Sequence, residues 1–193
     1  MAGKYIVYGD GACLGNPGPG GWGVVIVEPE YRELSGGPFA STTNNKMEIT
    51  AAIEGLRAVE AGSDVILRTD SEYVIKTMTL GWKRNANQDY WRELDREVAA
   101  RKVRFEWVRG HAGDKHNERA DKLAAAAAKG IRLEPEGAFA EKIQSDAEKL
   151  EPLLKAGESI RLCARCGQSF VADSLERAYC SLVPCQLEGR TKK

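Results

Sequence analysis

The chain has 193 residues, of which 42% are hydrophobic and 29% charged, a balance typical of globular proteins. The 28 basic and 28 acidic residues cancel, so the composition shows no overall attraction to polyanions. It contains no apolar run near the roughly 20 residues that a membrane-spanning helix needs, and its N-terminus lacks the pattern of a signal peptide. We therefore expect a cytoplasmic protein without a membrane partner.

Three strands are predicted first, at residues 4–8, 22–28 and 31–37. Residues 9–21 are dense in glycine, proline and asparagine, which predicts a turn region between the first two strands. Short links between neighbouring strands indicate an antiparallel meander. Apolar periodicity then predicts, in order, a helix at 44–61, a strand at 65–69, helices at 71–80 and 89–101, a strand at 103–108 and a helix at 114–129. This order predicts an α/β fold, with one mixed sheet and helices packed on it.

The sequence changes character after Gly130. Residues 131–159 contain a linker and a charged segment, 138–156, with helical spacing of its apolar residues. Residues 160–193 contain four of the five cysteines. We therefore expect a main domain at 1–130, a linker with a charged helix, and a small C-terminal module.

The C-terminal cysteines form two close pairs, Cys163-x2-Cys166 and Cys180-x4-Cys185, separated by 13 residues. Such pairs are typical of a structural zinc site with four thiolate ligands. We predict one Zn²⁺ in a zinc-ribbon or treble-clef-like module, and its binding would supply most of the module's folding energy. The module can contact nucleic acid through its basic residues, or it can dock a protein partner or be purely structural. The sequence leaves these roles open.

Four carboxylates occupy positions of interest in the main domain. Asp10 and Asp70 each end a predicted strand, whereas Glu48 and Asp121 lie in predicted helices. Each has a local alternative: a turn for Asp10, a capping box for Glu48, an N-cap for Asp70 and a solvated surface position for Asp121. Together they can converge at the carboxyl edge of the central strands, where open α/β sheets form their sites.

Clustered carboxylates raise one another's pKa, and a divalent cation relieves this repulsion. Oxygen ligands favour Mg²⁺ or Mn²⁺, and two such ions about 4 Å apart form a clamp for phosphodiester displacement. His111 lies on a glycine-flanked loop ten residues before Asp121. A lone loop histidine is usually incidental, but beside such a site it can transfer protons or ease product departure.

Four segments resemble the signature blocks of type 1, bacterial-style ribonuclease H: GDGACLGNPGPGGWG, TTNNKMEITAAIEGL, LRTDSEYV and VRGHAGDKHNERADKLA. The similarity covers about residues 3–130, with the blocks in the family's order. It implies a ribonuclease H-like five-stranded mixed sheet flanked by helices. It also implies an endonuclease that hydrolyses the RNA strand of RNA–DNA hybrids and leaves 5′-phosphate and 3′-hydroxyl ends.

The resemblance assigns roles to individual residues. Asp10, Glu48, Asp70 and Asp121 would bind two Mg²⁺ ions, and His111 would assist product release. The residues implied to contact the hybrid are Cys13, Asn16, Asn44 and Asn45 in its minor groove, and Thr43 and Asn87 at a DNA-strand phosphate. From the residues alone, packing explains Cys13, and turn or capping chemistry explains Asn16, Asn44 and Asn45 equally well.

One departure from the family is the segment TLGWKRNANQDYW at 79–91. Many bacterial members carry a long basic handle here, whereas this segment is short and has Lys83 and Arg84 as its basic residues. Two other functions stay open. One is DNA cleavage by an integrase-like or resolvase-like enzyme of the same fold, and the other is hybrid binding without catalysis. The signature blocks argue against the first and the complete carboxylate set against the second. We expect a monomer.

Overall fold

The computed structural model describes residues 3–136, the single positions 141, 144, 145 and 148, and the backbone of 159–162 and 169–172. The chain divides into two compact units, Met1–Leu133 and Glu134–Lys193. Among the described residues, no helix has the length and apolar character needed to cross a membrane.

The first unit is built on a five-stranded mixed sheet with the spatial order β3-β2-β1-β4-β5. Its strands are β1 (Lys4–Cys13), β2 (Gly18–Glu28), β3 (Arg32–Thr42), β4 (Asp64–Thr69) and β5 (Lys102–Trp107). The first three pair antiparallel as a meander, β4 runs parallel to β1, and β5 runs parallel to β4. The predicted fold class and the predicted order of strands and helices are therefore confirmed for this unit.

Four helices cover the sheet: α1 (Asn44–Arg57), α2 (Glu72–Leu80), α3 (Gln88–Ala99) and α4 (Lys115–Ala128). Alternate residues of β1 point to opposite faces, as in any strand. Val7 lies in a core cluster with Ile49 of α1, whereas the next residue, Tyr8, lies in a second cluster with Ala120 of α4. The sheet is thus sandwiched between α1 and α4, and β1 is buried at its centre.

The prediction of a turn region at residues 9–21 was wrong. The antiparallel ladder continues from Asp10 opposite Gly23 to Cys13 opposite Gly20, so the connection comprises only residues 14–17. A glycine in a strand often marks a close backbone approach. At Gly11, an added Cβ would overlap the backbone nitrogen of Glu48 in α1. The glycines of this segment therefore let helices approach the strands.

The second unit contains a two-stranded antiparallel sheet of β6 (Ser159–Leu162) and β7 (Ser169–Ala172). The described positions 141, 144, 145 and 148 are helical, within the predicted helix at 138–156. The remainder of that helix lies outside the described residues. So do Cys163, Cys166, Cys180 and Cys185, and the zinc site stays a prediction.

Candidate active site

The four predicted carboxylates come from four different elements. Asp10 lies in β1 and Asp70 directly follows β4, and these parallel neighbours end at the same edge of the sheet. Glu48 lies in α1 on one face and Asp121 in α4 on the other. The negative charges of Asp70, Asp121 and Glu48 all act on the Asp10 carboxyl. The fold therefore gathers the four groups around one edge.

Asp10 is the most deeply buried of the four, with 8% of its surface exposed. Burial raises the pKa of its carboxyl from 3.8 to about 8, and the charges of Asp70, Asp121 and Glu48 act in the same direction. The Gly11 N–H donates a hydrogen bond to Oδ1 at 2.7 Å and opposes the rise in pKa. Because Asp10 is buried within a paired strand, the turn alternative for this residue was wrong.

Glu48 is held at both carboxylate oxygens. Asn44 Nδ2 donates to Oε1 at 2.9 Å, and Ser71 Oγ donates to Oε2 at 2.6 Å. Burial raises the pKa of Glu48, the Asp70 charge adds to the rise, and these two hydrogen bonds oppose it. The capping-box alternative was wrong, because α1 is capped by Thr43, whose Oγ1 accepts from the backbone N–H of Lys46.

Asp70 is held through its side chain and its backbone. Asn117 Nδ2 donates to Asp70 Oδ2 at 3.1 Å, and Trp107 Nε1 donates to the Asp70 carbonyl at 3.2 Å. Gly110 packs against the carboxylate so closely that an added Cβ would lie 2.5 Å from Oδ2. The N-cap of α2 is Ser71, whose Oγ accepts from the Val74 N–H, so the N-cap alternative for Asp70 was wrong.

Asp121 is half-buried in α4. The helix begins at an N-cap, Asp114, whose Oδ1 accepts from the backbone N–H of His116 and of Asn117. Between this cap and Asp121, Arg119 forms a buried, two-point ion pair with Glu33 of β3, at 3.0 and 2.8 Å. These contacts fix the first half of α4 against the sheet, and with it the position of Asp121.

His111 lies on the loop between β5 and α4. It is exposed and adopts a positive φ of 51°, a conformation that most side chains avoid. The loop is flanked by Gly110, against Asp70, and by Gly113, with a φ of 87°. The loop therefore starts at one carboxylate of the site and leads into the helix that carries another.

The predicted substrate residues form two groups. Asn16 Oδ1 accepts from the Asn44 N–H at 3.4 Å, which joins the β1–β2 turn to the start of α1. Cys13 lies at the start of this turn, and its thiol donates weakly to the carbonyls of Gly18 and Thr42, both at 3.5 Å. Its partly buried position agrees with packing as well as with a substrate contact.

The remaining predicted residues lie at helix N-termini. Thr43 is the N-cap of α1, and Asn45, in the first turn, is exposed. Asn87 is the N-cap residue of α3, with a φ of 60°, and its Nδ2 donates to the Tyr73 hydroxyl at 3.4 Å. Free backbone N–H groups at such N-termini favour anions, which agrees with the predicted phosphate contacts.

The fold occurs in known proteins. The family model described as RNase H matches residues 2–129. The chain belongs to the ribonuclease H family. A ribonuclease H of Aeromonas salmonicida (strain A449) is 47% identical over 144 residues, which cover 67% of this chain and 94% of the relative.

Solved structures of ribonucleases H are similar to this chain as well. The RNase H1 from the halophilic archaeon Halobacterium salinarum NRC-1 has a TM-score of 0.57 and 30% identity, covering 67% of this chain and all of its own. LC11-RNase H1, solved in complex with an RNA/DNA hybrid, has a TM-score of 0.55 and 28% identity, covering 65% of this chain and 97% of its own.

Membership assigns the chain ribonuclease H activity, the cleavage of RNA in RNA–DNA hybrids, and with it a divalent metal requirement. The predicted family and enzyme class are confirmed, and the DNA-cleaving and non-catalytic alternatives are set aside. The matched region ends at residue 129, so the cysteine-containing tail lies outside the part of the chain that matches the ribonuclease H family.

The four carboxylates at this edge of the sheet fit a hard divalent cation. Their donors are carboxylate oxygens, which Mg²⁺ and Mn²⁺ prefer, and their mutual repulsion is what such a cation relieves. Among the described residues, no three histidine, cysteine or acidic side chains already converge as a coordination shell. The carboxylates therefore interact through their charges around the edge without forming a closed coordination shell.

Two residues of the ribonuclease H site were missed by the sequence prediction. Ser71 donates to Glu48 while it caps α2, and Asn117 donates to Asp70. The sequence could have indicated Asn117, because it lies four residues before Asp121 and therefore on the same face of the predicted helix. Ser71 had no such signal beyond its position after Asp70.

Proposed function

We propose that Asp10, Glu48, Asp70 and Asp121 bind two Mg²⁺ ions, or Mn²⁺ in their place, for hydrolysis of the RNA strand. The strongest support comes from the Asp10 carboxyl. Its pKa is raised to about 8 by burial and by three neighbouring carboxylates. So many acidic groups at one edge are unfavourable for the isolated protein, and cations remove that cost.

When bound, two such ions supply the positive charge that activates an attacking water and stabilises the leaving 3′-oxygen. The water oxygen would bond to phosphorus and lose a proton to the solvent or a nearby base, while the bond from phosphorus to the 3′-oxygen breaks and that oxygen takes up a proton. The products then carry a 5′-phosphate and a 3′-hydroxyl.

The chain's own residues preorganise this edge. Glu48 is oriented by hydrogen bonds from Asn44 and Ser71. Hydrogen-bonded partners of this kind fix the orientation of metal-binding side chains and raise metal affinity. At neutral pH Asp10 is protonated, because its pKa is raised to about 8. It would lose this proton when a cation binds, so metal binding is coupled to proton release.

We propose that His111 transfers protons or eases product departure at this edge. Its support is its place on the exposed loop that begins against Asp70. His111→Ala should lower kcat on the order of 10²-fold, the usual contribution of such a group, and leave KM for the hybrid nearly unchanged. A kcat within twofold of the parent would contradict this role.

For substrate binding, we propose that Cys13, Asn16, Asn44 and Asn45 line the minor groove of the hybrid, and that Thr43 and Asn87 hold a DNA-strand phosphate. The support is that the β1–β2 turn and the first turn of α1 form one surface, joined by the Asn16–Asn44 hydrogen bond. Asn44 also donates to Glu48, so this surface adjoins the carboxylates. Contacts to 2′-hydroxyls would distinguish RNA from DNA.

The metal mechanism is tested with the full chain and a labelled RNA–DNA hybrid, with EDTA or with Mg²⁺. Asp70→Asn should abolish Mg²⁺-dependent cleavage and weaken Mg²⁺ binding measured by calorimetry. Asp64→Asn is the matched control, because Asp64 is an exposed aspartate at the other end of β4. Analysis of the product ends should find 5′-phosphates. Full activity of Asp70→Asn, or cleavage in EDTA, would overturn the mechanism.

For the tail, we propose one structural Zn²⁺ bound by Cys163, Cys166, Cys180 and Cys185, supported by the spacing of the two pairs. Its role is contact with nucleic acid or, alternatively, protein docking or structure alone. About one equivalent of zinc in the purified protein would support the site. Removing residues 157–193 and measuring hybrid affinity against salt tests the first role. An unchanged affinity and salt slope would exclude it.

A further inference from the structure

We propose that Asn117 is a positioning residue for Asp70, which holds the carboxylate in the orientation that binds metal. The inference rests on the proposed role of Asp70 as a metal-binding carboxylate. It gives α4 a second role in the site, in addition to positioning Asp121. The helix would also supply the hydrogen-bond donor that orients a carboxylate on the neighbouring strand.

The geometry links two distant parts of the chain. Asn117 Nδ2 donates to Asp70 Oδ2 at 3.1 Å across 47 positions of sequence. The backbone of Asn117 is itself held, because its N–H donates to Oδ1 of the N-cap Asp114 at 3.3 Å. Asn117 and Asp121 lie one turn apart on the same face of α4. The donor and the second carboxylate therefore move together with this helix.

The burial of Asn117 indicates that its net contribution to stability is small. The residue is 2% exposed, and its Oδ1 is buried without a hydrogen-bond partner within the described part of the chain. A buried polar atom left without a partner costs roughly 1–3 kcal/mol, which offsets the roughly 1.5–3 kcal/mol that a hydrogen bond to a charged group contributes. An unpaired buried polar atom calls for an explanation, and within the described part of the chain the hydrogen-bond partner of the Asn117 side chain is Asp70.

Loss of this donor should free the Asp70 carboxylate to rotate. Trp107 would still hold the Asp70 carbonyl, but no described side chain other than Asn117 donates to its carboxylate. Removing such a partner of a metal-binding group typically lowers metal affinity or activity roughly 10–100-fold. Because Asn117 is buried, KM for the hybrid should not change.

The test compares Asn117→Leu with Thr77→Val in the full chain. Thr77 is a matched control, because it is 4% exposed in α2 and its hydroxyl is likewise buried without a partner. Both variants should unfold in EDTA close to the parent's temperature, because Asn117→Leu removes the unpaired Oδ1 together with the donor to Asp70. Only Asn117→Leu should lose Mg²⁺ and Mn²⁺ affinity by calorimetry, roughly 10–100-fold. Its kcat should recover as Mg²⁺ is raised, with an unchanged KM for the hybrid.

Asn117→Ala provides a second variant, which leaves space instead of filling it, and its metal titration is interpretable if the leucine variant fails to fold. Metal affinities within twofold of the parent in the folded variants would overturn the inference. So would a loss of stability with an unchanged metal isotherm. Asp70→Asn distinguishes a failure of the proposed metal mechanism from a failure of the proposed role of Asn117. If Asp70→Asn binds Mg²⁺ normally, the proposed metal mechanism fails. If it loses binding and the Asn117 variants do not, only the role of Asn117 fails.

Discussion

Replacing Asp10 by asparagine should abolish activity and stabilise the protein. In the folded chain, burial and three neighbouring carboxylates raise the pKa of Asp10 from 3.8 to about 8. At pH 7 the folded carboxyl is therefore protonated, whereas in the unfolded chain it is ionised. Because the folded pKa is raised, the favourable contribution is complete below the unfolded pKa and is lost as pH rises towards 8.

The size of this effect follows from the pH interval. Between pH 3.8 and pH 7 the parent should lose up to roughly 4 kcal/mol at Asp10, at about 1.4 kcal/mol per pH unit. Asparagine does not titrate, so Asp10→Asn avoids this loss. For a domain of this size, the gain at pH 7 corresponds to a Tm higher by about 10 °C.

Thermal unfolding of both proteins in EDTA, followed by circular dichroism from pH 4 to pH 8, measures the difference. The gap in Tm should be small near pH 4 and should widen with pH. Added Mg²⁺ should narrow it at pH 7, because the ions stabilise the protein that binds them. Asp64→Asn, at the exposed end of β4, should behave like the parent. Equal Tm values at pH 7, or a gap independent of pH, would refute the electrostatic reasoning.

Three further substitutions test the packing around the site. Gly11→Ala should lower both Tm and activity, because the added Cβ would overlap the Glu48 backbone; an active variant with the parent's Tm would contradict this. Gly110→Ala should weaken Mg²⁺ binding in calorimetry, because its Cβ would lie 2.5 Å from Asp70 Oδ2; an unchanged isotherm would count against it. Arg119→Met should cost roughly 3–5 kcal/mol in urea unfolding, because Glu33 loses its buried partner. Adding Glu33→Gln should restore part of that loss, and equal stability of the two variants would oppose this explanation.

Local signals in the sequence were sufficient for the order of strands and helices. Apolar periodicity depends on neighbouring residues, and α1, α2, α3 and α4 all begin within one residue of their predicted starts. The glycine-rich segment at 9–21 was misread, because the same residue permits a turn and a close helix contact. Only the packing of α1 on β1 decides between them.

The helix caps likewise depend on the structure as well as on local sequence. Asn45 and Asp70 are chemically good caps, but the structure uses Thr43 and Ser71. Several adjacent polar residues can cap a helix, and the backbone position of the first turn selects one of them. The selection matters for function, because it frees Asp70 from a capping role.

The sequence by itself determined the family and the order of the elements and predicted the four carboxylates, since these depend on residue type and spacing. The tertiary structure decided how those carboxylates behave. The burial of Asp10 and the hydrogen bonds from Ser71 to Glu48 and from Asn117 to Asp70 join segments far apart in the chain. Desolvation and hydrogen bonding depend on which groups pack against a side chain, and that arrangement exists only after the sheet and its helices have come together.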